Sequence, residues 1–264
     1  MELSTSVTTA MSVSWLLLTY NRADTVRKAF AHCARNAGRD YGELVWVDNG
    51  SAASERDAIA RCLDEHARAP VTKIHFPENR GVAKGYNACL GNARGTHVVI
   101  TGCDMLMPDG WLQSMARCFD TIARTGIVTI YAAPIGETPE RIRGPLETVN
   151  GIELQPAMPI GRRMLSRELL SRIGYFNEGF GMYGWDDVAW GHRAEKICRE
   201  ENLRFYNLPD LIAQHLGTEG NAAYDSKDAQ AYWRWKKSQV DDPAKQQLLK
   251  ALEARGWPRF SPFP

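Results

Sequence analysis

The first half of the chain switches repeatedly between short apolar blocks and helical periods. Residues 12–19 (SVSWLLLT) form an apolar block with polar flanks, the pattern of a strand buried on both faces. Residues 21–24 make a turn, and Asp24 is placed to cap a helix carrying Val26, Ala29, Phe30, Cys33 and Ala34 on one face. Gly38 stops that helix. A second strand at 43–47 is closed by the strong turn signal Asp48-Asn49-Gly50-Ser51. The alternation continues with a helix over 54–66, a strand over 71–76, a loop at 77–81, a helix over 82–91 and a strand over 97–101. Pro108 and Asp109 open a helix over 111–124, and 127–132 (IVTIYA) is a fifth strand. This order predicts an α/β protein with a mostly parallel central sheet flanked by helices.

The second half is less regular. Residues 133–159 are rich in Pro, Gly and charge and predict loops with short edge strands. A strand at 160–166 and a short helix at 167–173 lead into 174–194, GYFNEGFGMYGWDDVAWGHRA. That stretch sets two adjacent carboxylates, Asp186 and Asp187, before a helical pattern of Val188, Trp190, Ala194, Ile197 and Cys198. Acids there suit the positive end of the helix dipole, and their simplest use is an N-cap plus a first-turn acid. Strands at 204–207 and 211–215 and two polar-faced helices at 225–237 and 243–255 complete the pattern. No linker divides the halves, so residues 1–264 are expected to form one domain. Its parts are a nucleotide-binding half at about 12–132, an irregular half at about 133–217 and C-terminal helices at about 218–264.

Composition narrows the function more by exclusion. With 264 residues there is ample material for a core, and a formal net charge of +1 gives no electrostatic case for nucleic acid as a bulk partner. No apolar run approaches the roughly 20 residues of a membrane helix. Residues 1–11 (MELSTSVTTAM) lack the basic start and apolar block of a secretory signal, so a frayed leader and a cytoplasmic location are expected. The cysteines (33, 62, 89, 103, 118 and 198) show no C-x-x-C pairing, which predicts reduced core thiols. The aromatic-basic run at 232–237 (YWRWKK) could touch a membrane surface or an acceptor, although packing on the sheet is its simpler use.

Ligands of an open parallel sheet bind outside the carboxyl ends of its strands. Here those ends carry Thr19-Tyr20-Asn21-Arg22, then Asp48-Asn49-Gly50-Ser51, then Asn79-Arg80-Gly81, and finally Gly102-Cys103-Asp104. Each alone is an ordinary turn; together they make a polar rim able to hold a nucleotide. No G-x-x-x-x-G-K-[ST] or G-x-G-x-x-G follows the first strand, so P-loop and dehydrogenase chemistry lose their support. No G-x-S-x-G and no activated cysteine is present either. A site built on carboxylates remains, compatible with a divalent metal bridging to a diphosphate.

These segments resemble the inverting glycosyltransferases of family 2, which have the GT-A fold. LLLTYNR, WVDNGS, ENRGVAKGYNACLGNARGTHVVIT and GCDMLMPDGWL stand in that family's order. IGRRMLSRELLSRIGYFNEGFGMYGWDDVAWGHRA is similar to its acceptor-side segment, so the likeness runs from about residue 14 to 217. The resemblance implies a GT-A (Rossmann-like nucleotide-diphospho-sugar transferase) fold with an irregular acceptor-side second half. It also implies a hexosyltransferase-like enzyme moving a sugar, with inversion, from a UDP-, GDP- or dTDP-linked donor. The acceptor would be a hydroxyl of a glycan, glycolipid or other molecule.

Carried over by position, Thr19 and Asp48 would meet the base and Arg22 the phosphates, with Asn21 and Cys103 in the same donor-binding set. Asn79, Lys84 and Asn87 would line the pyrophosphate and ribose side. Asp104 matches the second acid of the family's Asp-x-Asp motif and would hold Mn²⁺ or Mg²⁺, with His215 of QHLGT completing the metal or phosphate site. Asp187 would be the general base and Asp186 would bind acceptor hydroxyls; an ordinary Asp, with a pKa near 4, is already a base at neutral pH. Tyr183 and Trp185 would form a shelf for the acceptor sugar.

Two positions depart from the pattern. Gly102 stands where the first acid of Asp-x-Asp is usual, and Trp185 where many relatives carry a small or aliphatic residue. Gly102 motivates a rival reading, a non-catalytic nucleotide-sugar-binding or scaffold protein; the retained acid pair speaks against it. A nucleotidyltransferase would need a Gly-rich basic loop after the first strand, and TYNRAD is not one.

Overall fold

The structure, a computed structural model, describes residues 10–134, 146–217 and 227–259. Strands and helices alternate as the pattern predicts: β1 (Val13–Thr19), α1 (Ala23–Arg35), β2 (Glu43–Asp48), α2 (Ala53–His66), β3 (Val71–His75), α3 (Val82–Asn92) and β4 (His97–Ile100). Then come β5 (Met105–Leu106), α4 (Trp111–Thr121), β6 (Thr125–Pro134), a hairpin of β7 (Glu147–Val149) and β8 (Ile152–Leu154), and β9 (Arg162–Ser166). The remainder is α5 (Arg167–Ile173), a 3₁₀ turn (Glu178–Phe180), α6 (Asp186–Glu200), β10 (Arg204–His215), α7 (Lys227–Val240) and α8 (Pro243–Ala254).

The main sheet has the order β3-β2-β1-β4-β9-β6-β10-β5. β3, β2, β1 and β4 are parallel neighbours, β9 runs antiparallel between β4 and β6, β10 is parallel to β6, and β5 closes the edge antiparallel. Every position of β1 is buried because helices cover both sides of the sheet. Trp15 and Leu17 point into one core with Phe30, Trp46 and Trp111, while Leu16 and Leu18 point into the other with Val45, Val47 and Leu90. This topology brings the carboxyl ends of β1, β2, β4 and β10 and the amino end of β9 to one edge. Thr19, Asp48, Asp104 and His215 stand at or just beyond these ends.

Several boundaries differ from the sequence expectations. Asp24 does not cap α1: the N-cap is Arg22, in left-handed conformation (φ 59°), and Asp24 lies in the first turn. The Ala23 N–H is met instead by Glu55 Oε2 of α2 at 2.5 Å, a long-range partner that local pattern cannot reveal. α4 stops at Thr121, before the left-handed Arg124, and β6 outruns its expected length at both ends. The strands expected at 204–207 and 211–215 are one, β10, with a register shift between Asn207 and Ile212. Pro209, which has no N–H to donate, falls in that shift and reads locally as a break. All six cysteines are free thiols, as expected, and all but Cys103 are buried. No described helix is long and apolar enough to cross a membrane. The expectations for residues 1–9, 135–145 and 225–226 fall outside the described residues, as do the side chains of Tyr232 and Trp233.

Candidate active site

The ends of β1 and β2 form the first part of the site. Thr19 is buried, its hydroxyl accepting from Trp46 Nε1 at 2.9 Å. Asp48 is equally buried; its Oδ2 accepts from the Ser51 N–H at 3.2 Å, while Oδ1 has no hydrogen-bond partner in the protein. A buried carboxylate oxygen left unmet is costly unless a ligand donor reaches it. Asn21 shapes the entrance, its N–H bonding Ser51 Oγ at 2.7 Å and its Oδ1 accepting from the Ala52 N–H at 2.9 Å. Asn49 ties the end of β2 to the next loop, with Nδ2 donating to Asn79 Oδ1 (2.9 Å) and to the Gly81 carbonyl (3.2 Å). Asn79 is therefore brought to the site, through a partner the carried-over positions did not include.

Asp104 is the centre of the second part. Its Oδ2 lies 3.3 Å from His215 Nε2 and 3.5 Å from Arg22 Nη1, joining the turn after β4, the end of β10 and the end of β1. Successive left-handed residues, Asn21 (φ 50°) and Arg22 (φ 59°), bend the chain there. Burial alone would push the Asp104 carboxyl up; the hydrogen bond and charge of His215, helped by Arg22 and Lys236, outweigh it and hold it below its ordinary value. Burial, with the Asp104 charge beside it, pushes the Cys103 thiol up to about 12, so that sulfur is a neutral neighbour of the site. Gly102 has φ +86°, a region L side chains rarely adopt, and a Cβ there would meet Met105 Cγ at 3.3 Å. The turn that aims Asp104 thus disfavours an aspartate at 102.

The acid pair forms the third part, at the start of α6. Trp185 is the N-cap, with left-handed backbone (φ 68°) uncommon for a large side chain, so Asp186 does not cap the helix. Asp187 is half-exposed, and both its oxygens are held: Oδ1 by Arg163 Nη1 at 2.5 Å and Oδ2 by the Gly161 N–H at 2.9 Å. Arg163 is 1% exposed, its guanidinium 4.4 Å from the Trp190 ring centre and 5.2 Å from that of Phe176. Asp186 is buried, its Oδ2 without a hydrogen-bond partner; burial, and next the Asp187 charge, raise its carboxyl to about 6. Burial, then the Asp186 charge, also raises the Tyr183 phenol.

Other expected residues are placed differently. Lys84 is exposed on α3. Asn87 is buried with both ends of its amide engaged: Nδ2 donates to the Phe176 carbonyl (3.0 Å) and Glu178 Oε1 (2.9 Å), and Oδ1 accepts from the Phe176 N–H (2.9 Å). Its visible work is to fasten α3 to the segment leading to α6. Tyr183 and Trp185 face the C-terminal helices: the Tyr183 ring lies 6.1 Å from that of Trp235, and Trp185 Nε1 donates to the Val240 carbonyl at 2.8 Å. The shelf is therefore shared with α7.

Sequence reasoning missed Arg163, Gly161 and Lys236. For Arg163 a signal existed: adjacent arginines in a strand point to opposite faces, so one of Arg162 and Arg163 had to enter the interior. Lys236, in the flagged aromatic-basic run, sits over the Tyr183 ring, Nζ 4.7 Å from its centre.

A metal would find an oxygen and an imidazole nitrogen in Asp104 and His215. Among the described residues no group of three or more His, Cys, Asp and Glu could hold an ion alone. Two protein donors suit an ion that takes its other ligands from water and substrate phosphate, the habit of Mg²⁺ and Mn²⁺ with nucleotides. The donor set fits such a shared ion.

A mostly parallel sheet between helices, with a polar rim at the strand ends and an acid pair at the start of α6, defines a GT-A fold. The chain matches the model of glycosyl transferase family 2 over residues 14–182 and belongs to that family. The matched residues include the strand ends through Asp104 and stop just before Asp186. Among solved structures, it is similar to the mannosyltransferase PcManGT from Pyrobaculum calidifontis in complex with GDP-Man and Mn²⁺, with 22% identity and a TM-score of 0.57. That alignment covers 81% of this chain and 59% of the other. It is similar also to S. aureus TarS 1–349 in complex with UDP-GlcNAc, with 18% identity, a TM-score of 0.59 and coverage of 87% and 66%. A third is GalNAc-T7 with UDP, GalNAc and Mn²⁺, with 14% identity, a TM-score of 0.60 and coverage of 78% and 44%. The chain thus spans less than two thirds of the length of these proteins, and the likeness is one of fold. No curated protein matches the chain.

Proposed function

We propose that this protein is an inverting glycosyltransferase that moves a hexose from a nucleoside-diphosphate sugar to an acceptor hydroxyl. The observation that carries the reading is the pairing of two half-sites on one sheet edge. One is a polar rim with the unmet Asp48 Oδ1; the other is the Asp187 carboxylate, fixed and half-exposed.

In this mechanism Asp48 Oδ1 accepts an N–H of the nucleobase, while Asn21, Asn79 and Thr19 shape the surrounding wall. Arg22 sits at the phosphate end. Asp104 and His215 would hold Mn²⁺ or Mg²⁺, which when bound supplies positive charge to the diphosphate. The acceptor hydroxyl attacks the anomeric carbon from the face opposite the diphosphate, and one displacement inverts the centre. Asp187 takes the hydroxyl proton as the new bond forms, a contribution of roughly 10² to 10⁴ in rate. The Arg163 and Gly161 contacts support this role because they fix the carboxylate without covering it; each oxygen keeps a second lone pair. Asp186, which is buried, would orient the acceptor side, together with Tyr183 and Trp185.

A panel of UDP-, GDP- and dTDP-linked sugars, scored by thermal shift with and without Mn²⁺, tests the reading. One donor class should stabilise the protein by several degrees and more so with the ion. No shift with any donor at millimolar concentration would contradict it. Binding without any release of nucleoside diphosphate would instead favour the scaffold reading that Gly102 first suggested.

A further inference from the structure

The turn that starts α6 is one the chain does not adopt unaided. Its N-cap, Trp185, is left-handed (φ 68°), Gly184 before it has φ +90°, and no side chain caps the helix. A bulky residue keeps such a backbone only where its surroundings enforce it. Yet this turn aims the first residues of α6. The Trp185 carbonyl accepts from the Ala189 N–H at 2.8 Å, and Asp186 and Asp187 lie between the two.

Arg163 and Gly161 hold the Asp187 carboxylate, but the backbone of the turn is held from elsewhere, by the C-terminal helices. Lys245 of α8 is 8% exposed, and its ammonium donates to the Tyr183 carbonyl (2.8 Å) and to Gln239 Oε1 of α7 (2.9 Å). Trp185 Nε1 donates to the Val240 carbonyl at the end of α7 (2.8 Å). Phe180, Trp185 and Ala189 pack with Leu248, Leu249 and Leu252 of α8. A Cβ on Gly184 would come within 3.3 Å of Val240 Cγ2, so α7 sits close against the turn. Burying an ammonium against neutral oxygens carries a desolvation cost, and an apolar side chain would fill the same space without it. What lysine adds is a directional grip on one backbone oxygen, just before the left-handed residue. The donor-side end of the segment has its own anchor, the Met182 carbonyl accepting from the Val82 N–H at 3.1 Å.

We propose that Lys245 is a positioning residue for the transfer step: by gripping the Tyr183 carbonyl it holds the left-handed turn at Trp185 and so sets where Asp187 meets the acceptor hydroxyl. The inference rests on the glycosyltransferase reading above and adds a residue to it. That residue comes from beyond the family match, which stops at residue 182. Lys245 acts through the start of α6 and not on the substrates. The acceptor oxygen bonds the anomeric carbon, its proton goes to Asp187, and the electron pair of the broken bond leaves with the diphosphate. Donor binding at the ends of β1 and β2 is independent of the grip.

The experiment compares the full-length protein with Lys245→Met, Lys245→Leu and Lys245→Arg. Three quantities are read: nucleoside diphosphate release from saturating UDP-, GDP- or dTDP-linked sugar, calorimetric affinity for the matching free diphosphate, and amide hydrogen exchange. Lys245→Met and Lys245→Leu should slow release roughly 10- to 100-fold and leave diphosphate affinity within about threefold. Exchange should quicken over residues 182–189 and stay unchanged over 161–166. Lys245→Arg, which can still donate to the carbonyl, should keep most of the wild-type rate. Either neutral variant that folds suffices, and wild-type release from it overturns the proposal. An equal loss of rate and diphosphate affinity, unrelieved by Lys245→Arg, also overturns it. So does failure of all three variants to fold, because each result marks a purely structural role. If the wild-type protein releases no diphosphate from any of these sugars, the glycosyltransferase reading fails first. That result is distinct, because the exchange comparison does not depend on turnover.

Discussion

Asp187 and Asp186 are chain neighbours with opposite surroundings, and their chemistry should diverge accordingly. Asp187 is half-exposed and held by Arg163 and Gly161, whereas Asp186 is buried with one oxygen unmet. For Asp186 the carboxyl stands near 6 in the folded protein against an ordinary 3.8, so the folded state holds that proton more tightly than the unfolded chain does. The stability it contributes is complete below about pH 3.8 and lost as the pH rises through about 6. Asp186→Asn, which cannot ionise, should therefore be more stable than wild type above pH 6, by on the order of 2 kcal/mol, and no different near pH 3. Urea melts at the two pH values measure it; an equal gain at both would mean the carboxyl is not raised. Asp48→Ala removes the buried acceptor and should weaken donor binding about 10- to 100-fold, read by calorimetry with the free nucleoside diphosphate. An unchanged affinity would place the base elsewhere.

At the scale of elements, Asn87 separates a carried-over role from a visible one. Its side chain makes three hydrogen bonds between α3 and residues 176–178, all internal to the protein. Asn87→Ala should lower stability by roughly 2 to 3 kcal/mol in a denaturant melt, because it leaves the Phe176 N–H and carbonyl unmet. Weakened nucleotide binding with unchanged stability would restore the donor-side role. The same contrast explains how much the sequence disclosed. Period and turn chemistry located the strands and helices of the first half, since β1, β2 and β4 are buried or half-buried blocks closed by polar turns, and β1 shows it in every position. Long-range partners set what pattern could not: Glu55 meets the start of α1, and Arg163 reaches Asp187 across a gap of 24 residues. Lys236 was visible only as part of a basic run, because nothing local says which way α7 turns.

On the scale of the whole molecule, the sheet edge collects groups from six parts of the chain: the ends of β1, β2, β4 and β10, the start of β9 and the start of α6. Such a site depends on the fold for its assembly, so its motifs look like ordinary turns one at a time and acquire meaning in combination. The shared-ion donor set of Asp104 and His215 gives a direct test. Protein stripped with EDTA should release nucleoside diphosphate at least tenfold more slowly, and Mn²⁺ should restore the rate. Asp104→Ala should show the loss without the restoration. Turnover indifferent to EDTA would leave Arg22 as the charge on the diphosphate and remove the ion from the mechanism.

The central claim is that Asp187 acts as a base on a sugar donor held at this edge. The most direct measurement is the rate of nucleoside diphosphate release from the best-bound nucleotide sugar, in wild type and in Asp187→Asn, with donor affinity measured alongside. The expected result is a measurable rate in wild type, a fall of roughly 10² to 10⁴ in the variant, and donor affinity within about threefold. Turnover by Asp187→Asn at the wild-type rate would contradict the assignment.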